Sequence, residues 1–139
     1  MVNEIVKRHL NQPAKKVAII QMLAYLCLGY FLKIMLNHYR ATWTAPEYAM
    51  MKGYFRAAHV HGLTLSFTLL FYSFLINFSG ASEKVKIIGV TLAILGMTLM
   101  PLSLVLSGFG IKLLILSHAA VIMIIASVGI LAYAHLTKG

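Results

Sequence analysis

Four runs of about 20 apolar residues, each long enough to cross roughly 30 Å of hydrocarbon, dominate the chain and leave it one plausible class of fold. They lie at about 17–36, 57–78, 85–106 and 111–134, separated by short polar connections. With 60% hydrophobic residues, 11% charged residues and a mean hydropathy of +0.86 over 139 residues, the composition is far from that of an ordinary soluble domain. A soluble core of this size could not hide so much apolar surface. The expected fold is all-α: a polytopic membrane protein of four transmembrane helices in an up-down bundle, preceded by a basic segment, 1–16. In that segment Ile5, Val6 and Leu10 accompany Lys7, Arg8 and His9. It reads as a short amphipathic turn on the lipid headgroups that Pro13 would end.

Charge and cysteine usage narrow the class further. The twelve Lys and Arg against three acids give a net charge of +9. The cations gather at the ends of the apolar runs, where they suit membrane lipids and set orientation rather than bind nucleic acid. The N-terminal cluster Lys7, Arg8, Lys15 and Lys16, with Lys84, Lys86 and Lys138, outweighs Lys33, Arg40, Lys52, Arg56 and Lys112. Both termini are therefore expected in the cytoplasm, as for a bacterial or archaeal inner-membrane protein. No cleavable signal peptide is evident, since the first run is too long and lacks a small-x-small site. The single cysteine, Cys27, permits neither an intramolecular disulfide nor a cysteine-based zinc site.

Local signals divide the runs. Thr44-Ala45-Pro46-Glu47 resembles a capping box that starts the second helix near Ala45, ahead of the hydrocarbon. Pro101 predicts a kink in the third span, and Ser107-Gly108-Phe109-Gly110 forces the third and fourth into an antiparallel hairpin.

Ionisable groups within such runs are costly unless they face a protein interior and find a partner, so they are candidate functional groups. His59 and His61 lie at the outer end of the second span, and His118 lies six residues beyond Lys112 in the fourth. The second and fourth helices run in the same direction, which puts His59 and His118 at similar depth. Two imidazoles at one depth suit axial ligation of a b-type haem between helices. His59 shares a face with Gly62, Ser66, Ser73 and Asn77, and His61 shares one with Thr64, Thr68 and Tyr72. Helical phase favours His59 as the inward ligand, paired with His118, and His61 is the alternative. Arg56 and Lys112, with Lys52, could pair with haem propionates or serve as interfacial anchors. A copper site built from His59, His61, Met97 and Met100 is a further possibility, because thioether and imidazole suit copper. All three acids lie outside the spans, which disfavours a carboxylate-based proton pump or di-iron centre, and no catalytic constellation stands out.

The segment Arg56-Ala57-Ala58-His59-Val60-His61-Gly62, opening the phenylalanine-rich run to Phe78, resembles the second helix of catalytic subunits of the haem-copper oxidase and nitric oxide reductase superfamily. The resemblance implies that His59 or His61 is an axial haem ligand. That family has many more spans, a second His-x-His helix and further copper-ligating histidines, which this chain lacks. The expected function is electron transfer by a small membrane haem protein of a respiratory-type chain, with quinone or a redox subunit as partner. The alternatives are a cofactor-free accessory subunit of a larger membrane complex and a membrane copper-binding protein. A homo-oligomer or docking on another subunit would cover the polar stripes of so small a bundle.

Overall fold

The computed structural model describes residues 2–38, 45–111 and 113–136, and these are wholly helical apart from turns. Helix α1 spans Val2–His38, α2 Ala49–Leu75, α3 Glu83–Gly108 and α4 Leu114–Leu136. Short 3-10 turns, Pro46–Tyr48 and Ile76–Phe78, extend α2 at its two ends. Four segments are long and apolar enough to cross a membrane: Gln12–His38, Pro46–Phe78, Glu83–Gly108 and Ile115–Leu136.

One boundary expectation changes. Pro13 does not end a separate N-terminal turn, because α1 continues through it as one helix of 37 residues. A proline there forfeits one backbone hydrogen bond, a loss that water can offset where the helix emerges from the apolar layer. The second helix starts through Pro46–Tyr48 with Ala45 as its extended N-cap residue, and no side chain caps it. Thr44, the expected cap, lies outside the described residues. Pro101 is buried, and α3 runs through it.

The turn between α3 and α4 follows from its glycines. The Ile111 amide donates to the Leu106 carbonyl at 3.0 Å and the Gly110 amide to that of Ser107 at 3.0 Å. These paired bonds close a Schellman motif, which needs a left-handed residue after the helix. Gly110 supplies it with φ +85°.

Inter-helix contacts set the register. Along the α1–α2 seam, Gly29 meets His59, Tyr25 meets Gly62 and Gln21 meets Ser66, so the two helices run in opposite directions. Between α2 and α3, Phe55 meets Gly108 and Tyr72 meets Gly89; between α3 and α4, Ser103 meets Ser117 and Gly96 meets Ala120 and Ile124. The helices thus pack in chain order, with α1 touching α3 lightly and α2 and α3 central. Leu69, Tyr72, Ile76, Val90, Ala93 and Met97 form the main core with Ala14 and Ala18 of α1. The arc Val60, Phe67, Phe71, Phe74 and Phe78 of α2 is exposed, as suits a lipid-facing surface.

In hydrocarbon, helices gain little from the hydrophobic effect and associate through close packing and hydrogen bonds, which favours small residues at contacts. A Cβ on Gly96 would lie 2.8 Å from the Ala120 carbonyl oxygen, a backbone atom that cannot swing aside. Gly96→Val is expected to lower stability in detergent by about 1–3 kcal/mol, the usual cost of overpacking. Gly129→Ala, where a Cβ meets nothing within 4 Å, is expected to be near neutral. Reversible unfolding of both variants in mixed micelles checks the pair.

Candidate functional site

The two histidines of the second helix have different surroundings. His59 is half-buried and turns into the α1–α2 seam. Its Nδ1 lies 2.6 Å from the Tyr25 carbonyl oxygen, which can only accept, so Nδ1 carries a proton and donates it. The carbonyl belongs to a residue of α1, so this bond joins two helices. A Cβ on Gly29 would overlap the imidazole, and one on Gly62 would overlap the Tyr25 ring. The two glycines sit on opposite helices, and each receives a ring from the other. His61 is exposed on α2.

Just below this interlock is a polar clasp that sequence reading did not single out. Gln21, buried in the first span, donates to Thr98 Oγ1 of α3. Ser66 Oγ of α2 lies 3.4 Å from Gln21 Oε1 and 2.6 Å from the Gly62 carbonyl oxygen. One amide side chain therefore links three helices. The signal was available, because a glutamine inside an apolar run needs a partner as a histidine does.

His118 is exposed on α4, on the side turned away from the buried Ala120, Ser127 and Ala134. Its depth agrees with the expectation. Phe55 meets Gly108 and Ser117 meets Ser103, which places His59 about 6 Å and His118 about 9 Å below the Phe55 level at 1.5 Å per residue. Direction separates them. His59 faces α1, which lies beyond α2 from α4, and His118 faces out of the bundle, so the structure does not bring these two rings onto facing surfaces.

The remaining candidates are also dispersed. Arg56 is exposed, Lys52 is half-buried, and Lys112 lies outside the described residues. Met97 is fully buried in the core and Met100 half-buried on α3, whereas His61 is exposed on α2. Among the described residues no group of three or more His, Cys, Asp or Glu side chains converges. His135 at the far end of α4 places Nε2 3.2 Å from the Leu75 carbonyl oxygen and ties α4 to α2 there.

No protein-family model matches the chain, and no curated protein or solved structure is recognisably similar to it.

The interlock predicts coupling between residues on separate helices. Gly29→Val is expected to destabilise the fold by about 1–3 kcal/mol by driving the imidazole off its seat. Adding His59→Ala should recover part of that loss, with a coupling energy of about 0.5 kcal/mol or more in a double-mutant cycle. Strict additivity of the two substitutions would show that the rings and glycines do not share a contact.

Proposed function

We propose that this chain is an integral-membrane accessory subunit, an up-down bundle with both termini in the cytoplasm that acts by lateral contact with a larger membrane assembly. The observation that carries this reading is the assignment of the two intramembrane imidazoles. His59 is engaged in holding α1 to α2, and His118 stands on the outer face of α4 among Ile115, Ile122 and Ile125, all exposed. An imidazole has two nitrogens, and bonding one within its own chain leaves the other to be satisfied in hydrocarbon. A protein neighbour offering a polar group is the low-cost cover for such a face.

A second reading, electron transfer by a b-type haem, is favoured by one specific feature. A ligating histidine usually donates its other ring nitrogen to a carbonyl or carboxylate, which fixes the tautomer, and the His59–Tyr25 bond has that form. His59 and His118 of a single chain do not fit as an axial pair, because their rings point to opposite sides. Under this reading His59 would hold the haem from one side, Arg56 is near enough in sequence to meet a propionate, and the second ligand comes from another subunit. The haem would supply one-electron chemistry, and this chain would supply position and a fixed tautomer.

One preparation distinguishes the two. From membranes solubilised in mild detergent, the accessory reading expects the chain to run in a complex larger than its own micelle, which His118→Leu breaks without loss of helicity. Its spectrum, reduced minus oxidised, is expected to show no haem α-band that depends on His59. About one haem per chain, lost in His59→Ala under conditions where the fold survives, would overturn it in favour of the cytochrome.

A further inference from the structure

A cavity of about 370 Å³ lies at the end of the bundle where α2 begins and α3 turns into α4, lined by Met50, Tyr54, Leu104, Ser107, Leu113 and Ser117. Gly110 of the tight turn closes its rim, and exposed Met50 and Gly110 mark its mouth. Its volume falls in the range of pockets that hold small ligands, and such pockets join an apolar lining to a few placed polar groups. The walls here are leucine and methionine, and the polar groups are three hydroxyls.

The serine hydrogen bonds determine what those hydroxyls can offer. Ser107 Oγ donates to the Ser103 carbonyl at 2.8 Å. Ser103 Oγ donates to the Met100 carbonyl at 2.7 Å and also lies 2.6 Å from Ser117 Oγ. A hydroxyl has one proton, so both of these contacts are made together only when Ser117 donates to Ser103. All three serine protons are then used within the α3–α4 seam. Ser107 and Ser117 meet the cavity as acceptors alone. Tyr54 contributes a phenol, which makes no hydrogen bond to another described residue and can donate or accept. None of the described lining residues is charged.

The geometry points to a binding site for a neutral amphiphile whose head carries hydroxyl donors and whose tail is apolar, entering from the membrane boundary. Two acceptors and one phenol match a head with two hydroxyls. A head bearing only carbonyl oxygens could use Tyr54 alone and would leave both serine oxygens facing it without a donor. Leaving buried polar groups unpaired is the stronger source of discrimination in such pockets. The site therefore takes a hydroquinone better than the corresponding quinone. A diacylglycerol hydroxyl has the same chemistry as a hydroquinone hydroxyl and is the other source of such a ligand. This site is separate from the His59 seam and from the outer face of α4, so it stands or falls independently of the accessory-subunit reading.

The test is anaerobic equilibrium binding of three probes to the full chain in lipid nanodiscs: a short-chain alkyl benzohydroquinone, its quinone and its dimethyl ether. Saturable hydroquinone binding is expected, at least about tenfold tighter than either other probe. Ser107→Ala with Ser117→Ala should erase that preference, and Leu113→Trp should abolish binding by filling the cavity. Tyr54→Phe, on α2 and outside the serine ladder, should weaken all three probes and gives an independent readout if the serine variants fail to fold. Dioctanoylglycerol displacing the hydroquinone, or binding in its place with the same serine dependence, supports the site and names lipid as its source. No saturable binding of hydroquinone or diacylglycerol, or binding indifferent to Leu113→Trp and Tyr54→Phe, overturns the proposal.

Discussion

The bundle depends on the seam between α1 and α2, where two rings and two glycines interlock above a shared polar clasp. In a bilayer the lipid tails are as apolar as the side chains, so burial of leucine against leucine contributes little to helix association. Directional bonds and close backbone approach must do more of it. The seam has both: His59 donating to Tyr25, Gly29 and Gly62 each seating a ring, and Gln21 joining Ser66 and Thr98. Because Gln21 reaches α3 as well as α2, the seam also positions α1 against the central pair. Elsewhere Ser73 bonds Leu70 and Ser127 bonds Ile124 within their own helices, whereas buried Ser103 also reaches Ser117 and joins α3 to α4.

This seam accounts for how a histidine can sit inside an apolar span without being a ligand. The cost of a polar group in hydrocarbon falls sharply once it meets a partner in the protein interior. For His59 the partner is a helix carbonyl that already accepts a bond within α1 and has a second lone pair to offer. The same bond would suit a haem ligand, because fixing Nδ1 as the donor leaves Nε2 as the lone-pair nitrogen. Structural and ligating roles thus use one hydrogen bond, and the rest of the site must separate them. Here the ring edge lies against Gly29, and the second imidazole lies on the far side of α4.

Much of the fold could be read from the sequence, because span number and approximate ends follow from the length and polarity of apolar runs alone. The antiparallel α3–α4 hairpin followed from a connection too short for any other geometry, and the exposed phenylalanine arc of α2 followed from 3.6-residue periodicity. Pro13 misled because a proline rule derived for helix interiors was applied at a membrane boundary, where the freed carbonyl can reach water. The candidate site was less legible. Depth along a helix is set by counting residues, and the depths of His59 and His118 agree. The direction each ring faces depends on which helices are neighbours, and one sequence does not state that α1, rather than α4, covers the His59 side of α2. The serine ladder and its cavity were hidden for a related reason: Ser103 and Ser117 meet only through the turn that brings α3 back against α4.

The central claim is that His59 donates from Nδ1 to the Tyr25 carbonyl of α1, and nitrogen-15 NMR of the histidine-labelled protein in lipid bilayers tests it most directly. With the signal assigned by its loss in His59→Gln, the account expects a protonated Nδ1, a sharp diamagnetic resonance, and a through-space contact to Tyr25. A ring with Nδ1 bare would contradict it, and a signal shifted and broadened by bound iron would return His59 to the role of ligand.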